Sequence, residues 1–402
     1  MLELQDVSFL VPGAPQELVL LGDFSAAIHP GQFVAIVGPS GCGKSTLLKL
    51  IAGICEPTLG KILWNGRDLE TEGDLEPHEI GYIPQFSIAY ERLTVAENLD
   101  SALKLRVAGL DAGAREARRV GILEQVGLSS IADRPVQVLS GGQRRRLALA
   151  LEMVTRPNLL LCDEVTSGLD PQAEDELVEL LGTLARDETR CVLSVTHSLR
   201  HLSAYDSVIV LHGGQLAYHG PPEYLEHYFQ IEEPAELYPQ LALRTPLEWH
   251  RSWRKHRHAF QHAPVAAGPA YSDPPEPPSQ EEDRKEEAET APERETVRTP
   301  GFAAQFRTLL ARRWKLFFRD ASGFWLQAAL VLGFPCLVVI FALDGLPQIQ
   351  NLSLGISGDV VKHIQENAAF AAQASRAGSL VSGLVMFQVI LLTLMASNNG
   401  AR

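Results

Sequence analysis

A glycine-rich segment with one lysine occupies residues 38–46, between the apolar run QFVAIV and the helical pattern LLKLIAGI. Its spacing, G-x-x-x-x-G-K-[ST] between a strand and a helix, is that of a phosphate-binding loop, in which backbone N–H groups and the helix N-terminus hold phosphate oxygens. Lys44 places a positive charge on the β- and γ-phosphates, and the Ser45 hydroxyl can ligate Mg²⁺. The predicted nucleotide ligands are Gly38, Pro39, Ser40, Gly41, Cys42, Gly43, Lys44, Ser45 and Thr46.

An acidic pair follows a second apolar run, Leu159–Cys162. The run predicts a buried strand, which brings Asp163 to its end beside the phosphate loop as a ligand of Mg²⁺, directly or through water. Glu164 comes next and is the natural base for an attacking water. An apolar strand that ends in Asp-Glu is, by itself, equally well a solvated strand end. The phosphate loop upstream favours the chemical interpretation.

A third motif, LSGGQ at residues 139–143, stands before the helical pattern RRRLALALEMV. Serine, two glycines and glutamine at a helix start form another anion-binding cap. LSGGQ between a phosphate loop and an LLLCDE strand resembles the signature of ATP-binding cassette (ABC) ATPases. In matching order, Gln85 in YIPQF resembles their Q-loop, residues 167–170 (SGLD) their D-loop, and His197 in SVTHS their switch histidine.

The resemblance implies an α/β fold, a P-loop NTPase (ABC ATPase) domain with a helical subdomain over residues 1–230, followed by transmembrane α-helices. It implies an ATP hydrolase that uses ATP and Mg²⁺. The implied catalytic residues are Glu164, His197, Gln85 and Lys44, the implied metal site is Ser45, Gln85 and Asp163, and the further nucleotide-binding residues are Ser140, Gly142, Gln143 and Asp170.

In this family the nucleotide is sandwiched between two cassettes, head to tail. The signature residues Ser140, Gly142 and Gln143 would then act on the nucleotide of a second ABC subunit, in a homodimer or a heterodimer. An adenine-stacking aromatic is not evident, since Val11 occupies about its usual place and Phe9 is the nearest aromatic. Nucleotide preference is therefore left open.

The remaining chain divides by composition. Residues 231–262 read as a helical tail of the cassette, and 263–299 as a disordered acidic, proline-rich linker, with an ordered acidic loop as the alternative. Residues 300–402 resemble the start of an ABC-2-type membrane domain. It comprises a basic, aromatic interfacial helix over 302–320 and two uncharged runs, 324–343 and 380–397, which predict transmembrane helices. The alternative for the two runs is a pair of buried core helices.

Charge predicts orientation and partners. Basic residues precede the first apolar run, and few lie between the two runs, so the positive-inside rule places the cassette in the cytoplasm of a multi-pass protein of the cell (inner or plasma) membrane. The expected partners are membrane lipid and an unknown transported substrate. The formal net charge of −14 argues against nucleic acid. Four histidines at 250, 256, 258 and 262 predict a solvated basic helix end, with a metal cluster as the alternative.

The order of cassette before membrane region, together with RLTVAENL and EVTSGLD, resembles the G-subfamily (white-type) half-transporters. ATP hydrolysis would then drive transmembrane transport, with export as the expected direction. Because that subfamily has about six spans, we expect the chain to be a truncated copy or a fragment. The alternatives are a membrane-anchored regulatory ABC ATPase without transport and a soluble ABC protein of the translation or DNA-repair type.

Overall fold

The computed structural model describes residues 1–11, 18–85, 88–187, 190–261, 298–333 and 336. The chain divides into two compact units, Met1–Leu310 and Ala311–Arg402. Within the described residues, the first unit contains a ten-stranded sheet in the order β5-β4-β1-β2-β10-β9-β3-β8-β7-β6. The strands are β1 (Leu2–Val11), β2 (Leu18–Ile28), β3 (Phe33–Val37), β4 (Leu59–Trp64), β5 (Arg67–Asp68), β6 (Ile80–Ile83), β7 (Leu159–Asp163), β8 (Cys191–Val195), β9 (Ser207–His212) and β10 (Gln215–Gly220).

Ten α-helices are assigned in the described ranges. They are α1 (Lys44–Ile51), α2 (Val95–Arg106), α3 (Ala112–Gln125), α4 (Gly141–Glu152), α5 (Pro171–Asp187), α6 (Leu225–Phe229), α7 (Leu237–Leu241), α8 (Pro246–Gln261), α9 (Phe302–Arg319) and α10 (Ala321–Ala328). A short π-helix, Ala329–Gly333, continues α10. Helices alternate with strands through much of the first unit, which confirms the predicted α/β fold.

The parallel strands β6, β7, β8, β3 and β9 form the half of the sheet that carries the predicted chemistry. Every residue of β3, β7 and β8 is buried, as continuous apolar runs in parallel sheets usually are. Carboxyl ends of parallel strands lie at one edge of a sheet. The phosphate loop after β3, Asp163 at the end of β7 and His197 after β8 therefore meet at that edge. The sequence predicted that Asp163 lies beside the phosphate loop.

The other half of the sheet is mostly antiparallel. β1 pairs with β2 and β4, and β4 pairs with the short β5. The two halves join where Gln215 of β10 pairs with Gly22 of β2. This half brings β2 alongside the phosphate loop, so that Leu20 reaches the pocket described below.

A helical segment, α2 to α4, is inserted between β6 and β7, as expected for the helical subdomain. Thr94 caps α2 through a reciprocal pair of bonds with Glu97, and Asp111 caps α3. α4 begins directly after Ser140, so the signature motif lies at a helix N-terminus, as predicted.

Within residues 231–262, for which a helical tail was predicted, the structure has α7 and α8, whereas α6 lies wholly before residue 231. α8 packs on β10 through a cluster of aromatic rings, which comprises Tyr218, Tyr228, Phe229, Trp249, Trp253 and Phe260. The prediction of a solvated basic helix end is wrong for His250, which is buried. Its ring nitrogens lie 3.1 Å from the Leu216 carbonyl and 3.3 Å from Asp23. Among the described residues, no group of three or more His, Cys, Asp or Glu side chains could hold a metal ion.

The described C-terminal stretch begins at Arg298, whose carbonyl accepts a hydrogen bond from the Ala108 amide at 2.7 Å. α9 matches the helix predicted over 302–320. Within residues 298–333, as in the other described ranges, no helix combines the length and apolar character needed to cross a bilayer. Most of the predicted linker, the second half of the 324–343 run and the whole 380–397 run lie outside the described residues.

Candidate nucleotide-binding and hydrolysis site

The phosphate loop connects the end of β3 to α1. Gly43 precedes α1 with a φ of +101°, and a Cβ atom there would lie 2.6 Å from the Leu20 carbonyl oxygen, so only glycine fits. The next residue, Lys44, is buried, and its ammonium donates to the carbonyls of Gly38 (2.9 Å) and Pro39 (3.0 Å). The loop thus holds a buried positive charge at the N-terminus of a helix, which suits an anion.

The metal side of the site pairs two elements that lie 118 residues apart in the chain. The Ser45 hydroxyl, on α1, donates to Oδ1 of Asp163 at 2.9 Å. Asp163 ends β7 and is buried, with 8% of its surface exposed. A hydroxyl and a carboxylate beside a phosphate loop are hard oxygen ligands, which Mg²⁺ prefers. The residues present therefore fit the predicted metal ion.

Glu164 lies at the centre of a hydrogen-bonded trio. Its Oε1 is 2.8 Å from Nε2 of His197, and its Oε2 accepts a bond of 2.8 Å from the side-chain amide of Gln85. Its φ is +53°, which is uncommon for a residue other than glycine and is typical of functional positions. The structure therefore brings together the base, the switch histidine and the Q-loop glutamine that the sequence predicted.

A pocket of about 320 Å³ joins these parts. Its walls contain most of the predicted phosphate-loop residues, the predicted base and the switch histidine. The lining residues are Leu20, Ser40, Gly41, Gly43, Lys44, Ser45, Thr46, Glu164 and His197. Cys42 contributes no wall, because its thiol is buried inside the loop, where burial raises its pKa.

The signature residues do not line this pocket. Ser140 and Gln143 cap α4 reciprocally, since each side chain accepts a hydrogen bond from the other's backbone amide, at 3.3 and 3.1 Å. Gly142 lies close to α5. A Cβ atom added to Gly142 would lie 3.1 Å from the Cβ atom of Ala173. Asp170, also predicted to bind nucleotide, caps α5 instead, with its carboxylate accepting the Ala173 amide at 3.0 Å.

Three residues at the site were not predicted. Leu20 supplies an aliphatic wall of the pocket. Arg145 of α4 donates to the backbone carbonyl of Gln85, and the Tyr82 hydroxyl donates to Oδ2 of Asp163. Tyr82 stands three residues before Gln85, in the same YIPQF stretch that was matched to the Q-loop, which was an available signal. Nothing in the sequence pointed to Leu20 or Arg145, because their contacts cross between elements.

The fold and the site define a class, the P-loop nucleotide hydrolases with a helical insertion. Within that class, residues 21–167 match the family described as ABC transporter. The chain therefore contains an ABC-type ATPase domain, similar to the ATP-hydrolysing domains of ABC transporters.

Curated relatives agree on this domain. The chain is 37% identical over 243 residues to the ABC transporter ATP-binding/permease protein Rv1747 of Mycobacterium tuberculosis, covering 60% of this chain and 28% of that protein. It is 36% identical to the methionine import ATP-binding protein MetN 1 of Rhodopseudomonas palustris, covering 51% and 56% of the two chains. The maltose/maltodextrin import ATP-binding protein MalK of Mannheimia succiniciproducens is also 36% identical, with 51% and 55% covered. The chain thus spans between about a quarter and just over half of these relatives' lengths.

Among solved structures, the chain is similar to the ATP-binding cassette MJ0796 in a dimeric post-hydrolysis state bound to ADP and Pi. The identity is 27%, the TM-score is 0.49, and the match covers 55% of this chain and 98% of that one. A second dimeric structure of the same bacterial ABC transporter cassette matches equally well.

Proposed function

We propose that the chain couples ATP hydrolysis at the phosphate-loop pocket to transport across a membrane. The observation that carries the proposal is the placement of Glu164 and His197 in the same pocket as Lys44 and Ser45. One cavity thus combines a phosphate cradle, a metal ligand and a base, the parts that phosphoryl transfer to water requires.

In the proposed mechanism the loop amides and Lys44 bind the β- and γ-phosphates. Ser45, Asp163 and Gln85 would hold Mg²⁺, which would supply positive charge to offset that of the phosphates in the transition state. Glu164 accepts a proton from the attacking water, and His197, hydrogen-bonded to it, orients the carboxylate. The Gln85 side-chain amide donates a hydrogen bond to Glu164, so Gln85 would contact both the metal ion and the base.

We propose further that a complete site needs two subunits. Ser140, Gly142 and Gln143 are absent from the pocket lining, although their helix N-terminus is suited to phosphate. A second ABC subunit, identical or different, would supply these residues, and Asp170 with them, across a head-to-tail interface.

For the C-terminal region we propose a membrane role. α9 is amphipathic and carries Arg307, Arg312, Arg313, Lys315 and Arg319 among exposed apolar side chains, which include Phe306, Trp314 and Phe318. Such a helix suits the surface of an anionic leaflet. The runs at 324–343 and 380–397 would span the cell membrane, with the cassette in the cytoplasm. Rv1747 is likewise named for an ATP-binding and a permease part.

From this arrangement and the resemblance to G-subfamily proteins, we propose that the chain belongs to an ABC-2-type half-transporter that exports an unidentified substrate. The apolar runs after α9 carry this part of the proposal. A regulatory ATPase anchored in the membrane would share the site but would move no solute.

Replacing Glu164 by Gln tests the hydrolytic site, because glutamine keeps the shape of the side chain but cannot accept the proton. In the purified full chain, phosphate release should fall by about two orders of magnitude or more, while ATP binding is retained. The matched control is Glu179→Gln, the same exchange on the exposed face of α5, which should leave turnover unchanged. Turnover within threefold of wild type in Glu164→Gln would contradict the role of Glu164.

A further inference from the structure

Tyr82 lies directly behind the metal side of the site. It belongs to β6, which runs parallel to β7 with Tyr82 opposite Leu161, two residues before Asp163. Its hydroxyl donates to Oδ2 of Asp163 at 3.1 Å. Tyr82 does not line the pocket, so it reaches the nucleotide site only through this carboxylate.

The two oxygens of Asp163 are bonded on opposite sides. Oδ1 accepts from the Ser45 hydroxyl at 2.9 Å and Oδ2 accepts from Tyr82. A carboxylate with one donor on each oxygen is fixed in rotation as well as in position. Because Asp163 is buried, few water molecules can take over either bond.

The hydroxyl is the only part of the Tyr82 side chain that can donate a hydrogen bond to Asp163. Only this hydroxyl separates tyrosine from phenylalanine, which would keep the aromatic ring without orienting Asp163.

We infer that Tyr82 is a positioning residue for the metal site. It holds Asp163 so that Oδ1 faces Ser45, the residue that would hold Mg²⁺ together with Asp163. The inference rests on the proposed ATPase function, and Tyr82 is not among the site residues that the sequence predicted. Partners that orient a metal ligand typically contribute 10- to 100-fold to metal affinity or activity. We therefore expect that loss of the Tyr82 hydroxyl weakens the metal-dependent part of ATP binding and leaves binding by the phosphate loop unchanged.

The test measures ATP affinity of the full chain with a fluorescent ATP analogue, once in excess Mg²⁺ and once in EDTA. In Tyr82→Phe we expect the affinity in EDTA to stay within about twofold of wild type, while the gain in affinity on adding Mg²⁺ falls by about tenfold. The Mg²⁺ concentration for half-maximal turnover should rise by a similar factor.

Tyr218→Phe is the matched control. Its buried hydroxyl also donates one hydrogen bond, to the Pro221 carbonyl at 2.6 Å, away from the pocket. Both variants lose one hydrogen-bonded hydroxyl. Urea unfolding curves of the two therefore measure how much this loss lowers the free energy of unfolding. We expect the Mg²⁺ dependence of Tyr218→Phe to match that of wild type.

An unchanged gain in affinity with Mg²⁺ in Tyr82→Phe would overturn the inference. So would an equal loss of affinity in Mg²⁺ and in EDTA, because that pattern indicates general damage to the site. Failure of the wild-type chain to bind ATP under either condition is a separate result, since it would contradict the proposed function itself.

Discussion

At Glu164 the backbone and the side chain are constrained together. Its left-handed φ costs about 1–3 kcal/mol for a residue of this type. The conformation is held by bonds from the Glu164 amide to the Val195 carbonyl and from the Ser167 amide to the Glu164 carbonyl. The carboxylate is then fixed from both sides by His197 and Gln85. The strain thus aims one side chain at the pocket that contains the phosphate loop.

His219, in contrast, is a buried histidine with no part in the site. It lies on β10 and is almost fully buried, and its Nδ1 atom has no hydrogen-bond partner among the described atoms. Burial, with a smaller contribution from His29, lowers the pKa of His219 to about 4. The folded protein therefore holds this ring neutral at a pH where the unfolded chain would protonate it.

This difference predicts an acid-sensitive stability. As the pH falls from 6.5 towards 4, the unfolded state takes up a proton at residue 219 that the folded state refuses, so the free energy of unfolding decreases. At pH 5 the loss from this residue is about 2 kcal/mol. His219→Phe, which cannot be protonated, should remove that part of the pH dependence, as measured by urea unfolding at pH 7 and pH 5.

The same exchange at the exposed His227 serves as the control and should leave the pH dependence as in wild type. If the free energy of unfolding falls by the same amount between pH 7 and pH 5 in wild type and in His219→Phe, residue 219 does not cause the acid sensitivity.

At the scale of elements, three consecutive arginines attach α4 to its surroundings. Arg144 donates to the carbonyls of Gln137 (2.9 Å) and of Leu139 (3.2 Å), the first residue of the signature. Arg146 pairs with Glu176 of α5. Arg145, between them, bonds to the backbone carbonyl of Gln85. α4 therefore links the signature motif to the glutamine that is proposed to contact the metal.

This link predicts that Arg145 affects catalysis without touching the nucleotide. Arg145→Met keeps the aliphatic length but removes the bond to the Gln85 carbonyl, so Gln85 is less well placed. We expect turnover to fall by about tenfold with little change in ATP affinity in EDTA, since charge-assisted bonds are worth about 1.5–3 kcal/mol. Steady-state phosphate release and nucleotide titration measure the two effects.

Arg144→Met is the neighbouring control, because the carbonyl partners of Arg144 are Gln137 and Leu139 and not Gln85. Equal losses of turnover in both variants would indicate general damage to α4 and would argue against a specific link through Arg145.

At the scale of the whole molecule, the nucleotide pocket and the signature motif occupy different places on one chain. If two chains complete each other's sites, two inactive variants should complement. Lys44→Ala removes the phosphate contact, and Ser140→Arg blocks the signature. A dimer with one copy of each has one doubly damaged site and one intact site, so mixing should restore about a quarter of wild-type turnover if the sites are independent.

Each variant alone should be inactive in the same assay of phosphate release. The mixture must be shown to contain heterodimers, for example by pull-down with two different affinity tags. Demonstrated heterodimers without recovered turnover would rule out the proposed sandwich.

The sequence determined the chemistry of the site, because that chemistry depends on short, local patterns. A glycine-rich loop between a strand and a helix, an apolar strand that ends in Asp163 and a helix cap at Ser140 each need only neighbours in the chain. The order of these motifs, through the family resemblance, then predicted the α/β fold, and the strand that ends in Asp163 predicted that this residue lies beside the phosphate loop. That step follows from the geometry of parallel strands.

Only the tertiary structure decided which side chains support those residues. Three bonds show this: Tyr82 to Asp163, Arg145 to Gln85 and His250 to Asp23. Each joins residues that lie 60 to 227 positions apart in the chain, so no local sequence pattern predicts it. His250 lies in a basic stretch that reads as solvated, yet it is buried where α8 packs on β10. Packing fixes such contacts, and packing depends on the whole chain rather than on any local pattern.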